Sequence, residues 1–241
     1  METLQNELYN LLHELYEKSD GKCDFTEEFL NNLDFVYPFN KIEFIFSHLI
    51  AYNVITLHQY LLMREAYLAR NKYLHVFEIT APRTFGENWA QNHLNKLVPE
   101  LRRPSKELDA DYSGQYDFWY DGIRIEVKAS RAVKRQGGGT LISKALSVDA
   151  KEGFDMNFQQ IKPGCCDVFV WIGVWRDVIR YWVLSSRDVE SHPDYCPFHH
   201  RFNKGEGQLW LKERNIADFA EYEVSANDIL SAIILKSSKA Q

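Results

Sequence analysis

In the run Tyr116-Asp117-Phe118-Trp119-Tyr120-Asp121-Gly122-Ile123-Arg124-Ile125-Glu126-Val127-Lys128, two carboxylates and an amine fall at spacings that chemistry could use. Asp121-Gly122 is a favoured two-residue hairpin turn, because both of its residues tolerate the positive φ that such a turn needs. That turn would pair Tyr120 with Ile123, Phe118 with Ile125 and Asp117 with Glu126. Side chains alternate along a strand, so Asp117, Trp119, Arg124, Glu126 and Lys128 would share one face. Phe118, Tyr120, Ile123, Ile125 and Val127 would form an apolar face behind them. Two carboxylates with Cβ atoms roughly 5 Å apart repel each other unless a cation lies between them. Hard oxygen ligands select Mg²⁺ over softer metals. An ammonium at Lys128, two residues beyond Glu126, would stand beside that ion, where it could orient or help deprotonate a water attacking a phosphodiester. A solvated hairpin face is the other reading of the same residues.

These residues need elements to hold them. From Thr84 to Leu97 a helix is expected, since Thr84-Phe85-Gly86-Glu87 fits a capping box and Trp89, Leu94 and Leu97 could face inward. Strand-like runs follow at Tyr116–Tyr120, Ile123–Ala129, Asp167–Val174 and Val178–Leu184. A glycine-rich loop (Gly137, Gly138, Gly139) and a helix around Asn157–Ile161 are expected between the second and third runs. The order predicts an α/β (α+β) chain with a mixed central sheet flanked by helices.

The segment 1–75 reads instead as a helical subdomain, appended to a core over 76–241. Leu4, Leu8, Leu11, Leu12 and Leu15 recur at helical spacing. Residues 41–70 suggest two helices joined at Asn53-Val54-Ile55-Thr56, with Thr56 capping the second. This pair is either a helix-turn-helix or a plain packing unit, because Arg64 and Arg70 are its second helix's basic residues.

Charge is unevenly distributed. The chain of 241 residues carries a formal charge of -6. Residues 1–36 hold nine acids against Lys18 and Lys22, whereas 124–144 hold six basic residues against Glu126 alone. The second segment is a focused basic patch of the kind that meets phosphates, and its Arg131, Lys134, Arg135 and Lys144 are candidate DNA contacts. Met1-Glu2 begins no basic, apolar leader and no run reaches a membrane span, so a cytoplasmic protein without a membrane partner is expected. Four cysteines, Cys23, Cys165, Cys166 and Cys196, read as reduced thiols. A zinc site from these with the histidines near 199 is the weaker reading, because it lacks two clean ligand pairs.

The arrangement of a helix, then Tyr116-Asp117 and Glu126-Val127-Lys128 on a hairpin, then a crossover and further strands, resembles the PD-(D/E)xK nuclease superfamily over roughly 84–185. Tyr116 stands where that family usually has proline. The resemblance implies a restriction-endonuclease-like fold in which Asp117, Glu126 and the Val127 carbonyl bind Mg²⁺ and Lys128 is the catalytic lysine. Glu87 matches a further acidic position near the metal, although the capping box explains it without chemistry. Gln159 and Gln160 fall where the crossover helix approaches the site, and could contact phosphate or simply be solvated.

His199, His200, Arg201, Asn203 and Lys204 lie in a polar stretch, and arginine, asparagine and lysine in such a loop could reach base edges. The expected activity is that of a Type II restriction endonuclease, cutting double-stranded DNA at a specific sequence and leaving 5′-phosphate and 3′-hydroxyl ends. A homodimer is expected, because one such site cuts one strand and a two-fold axis matches a palindromic target. A cognate DNA methyltransferase is then expected genetically, not as a bound partner. The alternatives are a mismatch-repair or modification-dependent nuclease, a DNA-binding regulator using 41–70, and an RNA endonuclease.

Overall fold

A computed structural model describes the backbone of residues 2–26, 41–135, 138–198 and 204–238, and the side chains of these except 2–9, 41–43 and 204–205. The chain divides into two compact units, Met1–Arg70 and Asn71–Gln241.

In the first unit, α1 (Glu2–Lys18) contributes Leu15, fully buried, with Leu11 and Leu12 packed beside it. They meet Ile45, Phe46 and Leu49 of α2 (Lys41–Ala51) and Ile55 of the following turn. Asn53 takes the left-handed conformation in that turn, which asparagine tolerates because its short polar side chain bonds locally. The third helix, α3 (Leu57–Arg70), starts on a reciprocal cap. The Gln59 N–H donates to Thr56 Oγ1 at 3.2 Å, and the Thr56 N–H donates to Gln59 Oε1 at 2.9 Å. Leu57, Leu61, Leu62 and Leu68 remain exposed along α3.

The second unit is a mixed α/β fold built on a mixed sheet with helices against it. A π-helical segment, Thr84–Ala90, runs directly into α4 (Gln91–Leu97). The expected capping box at Thr84 does not form. Arg83 already has helical dihedrals, so Thr84 lies inside the helix, and Glu87 pairs with the Arg83 guanidinium at 2.7 Å instead. Phe85, Ala90 and Leu94 face inward, while Leu97 is exposed. Val98 leaves the helical region just before Pro99, whose ring disfavours a helical residue ahead of it.

The hairpin joins β1 (Phe118–Tyr120) to β2 (Ile123–Arg131). Asp121 and Gly122 both have positive φ, and the register pairs Phe118 with Ile125, Trp119 with Arg124 and Tyr120 with Ile123, as the turn dictates. The crossover from β2 differs from expectation. It contains β3 (Val133–Lys134) and β4 (Phe154–Ile161), so Asn157–Ile161 is strand and not helix. Phe154, Met156 and Phe158 are buried at intervals of two, a stronger local signal than the three-residue spacing of Phe158 and Ile161. A bulge at Gln160, with φ of 54°, turns Ile161 back inward.

After the crossover, β5 (Val168–Val174) lies parallel to β2, and β6 (Ile179–Ser185) returns antiparallel to β5. A short helix α5 (Ser186–Glu190) leads to β7 (Tyr195–Phe198), β8 (Lys204–Lys212), β9 (Glu223–Val224) and α6 (Ile229–Ser237). Among the described residues the strands form a five-stranded sheet, β1-β2-β5-β6-β9, and a four-stranded sheet, β3-β4-β8-β7.

The five-stranded sheet is covered on both faces, which explains why β5 is buried along its whole length. On one face Ile125, Val127, Val168, Val170 and Ile172 meet Phe85, Ala90, Leu94, Ile229 and Ile233 of the helices. A stacked column of Phe85, Trp89, His93 and Tyr181 fastens the helical segment to β6. Burial holds His93 below the ordinary imidazole range, so its 2.8 Å hydrogen bond with the Tyr181 hydroxyl joins two neutral groups. On the other face Phe169, Trp171, Trp182 and Leu184 meet Met156, Phe158, Leu209 and Leu211 of the second sheet. Gly173 belongs to this face, and a Cβ there would stand 2.7 Å from the Trp182 ring and 3.2 Å from Met156 Sδ. Gly173→Val is therefore expected to lower the unfolding free energy by about 1–3 kcal/mol. Urea titration followed by tryptophan fluorescence measures this, and an unchanged midpoint would refute the packing argument.

No described helix is long and apolar enough to cross a membrane.

Candidate active site

Asp117, immediately before β1, is held by two elements at once, β2 and α4. Its backbone N–H donates to the Ile125 carbonyl at 3.0 Å. Its Oδ2 accepts from the Val127 N–H at 2.8 Å, and its Oδ1 accepts from Gln91 Nε2 of α4 at 2.5 Å. Burial, and next the Glu126 carboxylate, push the Asp117 carboxyl up to about 7, against the opposing pull of the Val127 N–H and Lys128. The two acids are thus electrostatic neighbours, although the paired register of the hairpin ends at Phe118 with Ile125. Lys128 Nζ lies 2.7 Å from Glu126 Oε1, and the side chains are only 16% and 18% exposed.

At this exposure Glu126 and Lys128 are only partly solvated, whereas Arg124, nearer the turn, is 38% exposed. Glu126 and Lys128 stand in register with Phe169 and Trp171 of β5, so their face is charged only beside the hairpin and becomes the second apolar core further along. Sequence periodicity suggested one core face and one charged face. A second sheet, packed from outside, makes both faces core.

The cavity beside Asp117, about 310 Å³, is walled by Glu87, Gln91, Arg103, Tyr112 and Tyr116. Glu87 thus reaches the same cavity as Asp117, but its carboxylate is 54% exposed and paired with Arg83. Gln91, one helical turn further on, is the residue that touches Asp117, and its position four residues after Glu87 was the available signal. Arg103 had no sequence signal. It arrives because Arg102 and Trp119 exchange backbone hydrogen bonds at 3.0 and 2.8 Å, adding this segment to the outer edge of β1. Tyr116, in the position where the resembled family has proline, is buried and donates its hydroxyl to Asp109 at 2.7 Å. Arg124 binds Asp167 through Nη2 at 2.7 Å and Nε at 3.2 Å, which ties β2 to the start of β5 and leaves the acids untouched.

The basic segment after Lys128 is largely committed within the protein. Arg131 is the most fully committed of these residues. Its guanidinium is half-buried, donates to the Val76 and Ile79 carbonyls at 3.2 and 2.6 Å, and lies 4.1 Å over the Phe85 ring. Lys134 pairs with Glu152 at 3.1 Å and Arg135 with Asp155 at 3.3 Å, both pairs on the surface, where such bridges are weak and exchangeable. Lys144 is half-buried, and its backbone pairs with that of Lys134. Gln159 and Gln160 sit exposed at the end of β4, not on a helix. His199, His200, Arg201 and Asn203 lie outside the described residues, and Lys204 is described only as the first residue of β8.

Comparison with protein-family models and with curated proteins finds no match. The geometry alone must therefore carry the chemistry. Asp117, Glu126 and the Val127 carbonyl offer hard oxygen donors, and each oxygen of Asp117 keeps a lone pair beyond its present hydrogen bond. A carboxyl pushed up by burial and then by a neighbouring carboxylate is the electrostatic condition that a divalent cation relieves, so the donor set fits a hard cation. The acids form a pair and not a larger group: among the described residues, no three His, Cys, Asp or Glu cluster to hold a metal. Of the residues in the zinc reading, Cys166 is buried, Cys165 half-buried and Cys196 exposed, and His199 and His200 lie outside the described residues.

Proposed function

We propose that this chain is a Mg²⁺-dependent endonuclease of double-stranded DNA with a restriction-endonuclease-like core. The observation that carries the reading is the meeting of Asp117, Glu126 and Lys128 at the partly buried end of a hairpin, with Asp117 held by Gln91 from the preceding helix. Asp117, Glu126 and the Val127 carbonyl would hold the cation. When bound, Mg²⁺ supplies neutralisation for the negative charge that develops on the phosphate. Lys128, aimed by its contact with Glu126, holds the attacking water opposite the leaving 3′ oxygen and assists loss of its proton. The new bond joins the water oxygen to phosphorus, the bond from phosphorus to the 3′ oxygen breaks, and the products are a 5′-phosphate and a 3′-hydroxyl. Two copies about a two-fold axis would cut both strands of a palindromic site, as Type II restriction enzymes do. The protein then acts in the cytoplasm, with host DNA protected by a methyltransferase encoded separately.

The departure that weighs against the family reading is the crossover, which is built from strands where the resembled family has a helix. The regulator reading draws on the capped turn before α3, but the exposed leucines of α3 are not the polar side chains that read a groove.

Incubation of the protein with mixed-sequence plasmid, with Mg²⁺ and with EDTA, tests the proposal. Discrete double-strand fragments with 5′-phosphate ends, formed only with Mg²⁺, are expected. Retardation of DNA without cuts would assign a binding module, nicks in one strand or cuts confined to methylated DNA would assign a repair or modification-dependent enzyme, and degradation of structured RNA alone would assign an RNA nuclease.

A further inference from the structure

The cavity beside Asp117 combines an acidic floor with a cation that serves neither acid. Arg103 is exposed at its wall, and both of its side-chain partners are uncharged. Nη1 donates to the side-chain Oε1 of Gln91, and the guanidinium lies 4.6 Å from the Phe118 ring centroid. Among the described residues no carboxylate is within ion-pair distance of Arg103, in contrast to Arg83, Arg124, Arg135 and Arg180, which each hold one. A guanidinium has five N–H donors in a planar fork, so most of those of Arg103 are left for a ligand. Its position is set from both sides: Arg102 is hydrogen-bonded to Trp119, and Pro104 disfavours a helical conformation at Arg103. The hydrogen bond to Gln91 also leaves the Gln91 amide nitrogen facing Asp117.

We propose that Arg103 forms a phosphodiester subsite, gripping a backbone phosphate of the bound strand next to the one that reacts at Asp117. The planar fork matches two phosphate oxygens, and a cation held off the acids by a neutral amide keeps its charge for an anionic ligand. Tyr112, packed edge-on against Tyr116 at 5.1 Å, supplies the apolar wall along which the adjoining sugar lies. The assignment of the reacting phosphate rests on the nuclease reading, whereas the phosphate contact itself does not.

Binding of fluorescent duplex DNA to the full chain, with Ca²⁺ in place of Mg²⁺ and across a range of salt, provides the test. Arg103→Ala is expected to weaken binding about tenfold and to lower the slope of log affinity against log salt by about one, the signature of one lost phosphate contact. Arg103→Lys should keep the slope and recover only part of the affinity, because a point charge cannot hold Gln91 and phosphate together. Wild-type affinity and slope in Arg103→Ala would overturn the proposal, and so would equal weakening in both variants with neither slope changed, since that marks a purely structural role. Arg103-dependent thermal protection by inorganic phosphate with no change in the duplex slope would assign a free-phosphate site and overturn it as well. Plasmid cleavage by the wild-type chain is scored separately. A lowered slope in a chain that does not cut would keep the subsite and reject the nuclease, and an unchanged slope in a chain that cuts would do the reverse.

Discussion

Asp117→Asn is expected to reduce Mg²⁺-dependent DNA cleavage by roughly 10³-fold or more, while making the metal-free protein more stable at pH 8. The two effects share one cause. Burial and the Glu126 carboxylate raise the Asp117 carboxyl from its ordinary value of 3.8 to about 7. The folded state therefore holds that proton more firmly than the unfolded chain does. The stability contributed by the proton is full below the ordinary carboxylate value, declines as pH rises toward 7, and is absent above it. Asparagine removes the charge and with it a penalty on the order of 2–4 kcal/mol. The realised gain is smaller, because an amide offers one acceptor where Asp117 accepts from both Gln91 and the Val127 N–H. Urea unfolding in EDTA at pH 5 and pH 8 measures the effect: the variant should lead at pH 8 and lose that lead at pH 5. Mg²⁺ should raise the thermal midpoint of the wild type and leave the variant unmoved. A variant that still cuts DNA, or that is the less stable protein at both pH values, would remove Asp117 from the metal site.

Lys128→Ala tests the other half of the site and should behave differently. Its cleavage rate is expected to fall roughly 10²- to 10⁴-fold, the range for loss of a positioned proton-transfer group. Metal binding should survive, since Lys128 offers no ligand oxygen. In the wild type the ammonium sits 2.7 Å from Glu126 in a mostly buried setting. Without it Glu126 faces Asp117 with no counter-charge, so the metal-free variant should unfold at a lower temperature and recover more than the wild type does when Mg²⁺ is added. Single-turnover cleavage and thermal melts with and without Mg²⁺ separate the two roles. Wild-type cleavage by this variant would reject the catalytic assignment outright.

Short-range physics made much of this site legible from the residues alone. Asp121-Gly122 specifies a tight reversal because both residues accept positive φ, and that reversal sets the pairing of Phe118 with Ile125, next to which Asp117 and Glu126 stand. The strands Val168–Val174 and Ile179–Ser185 and the Thr56 cap were likewise written within windows of a few residues. Tertiary structure decided what those windows cannot contain. Whether the charged face of β2 meets water depends on a second sheet contributed by residues up to Lys212, which packs on the Phe169 and Trp171 face beside Glu126 and Lys128. The direction of a long basic side chain depends on what stands opposite, and Arg131 turns inward because the Val76 and Ile79 carbonyls await it. Gln91 and Arg103 join Asp117 through a helix docked on the sheet and a backbone pairing with Trp119, contacts between segments distant in the chain. Local conformation follows from each residue's own sterics and hydrogen-bonding groups, whereas the choice of neighbours is made by burying apolar surface across the whole unit.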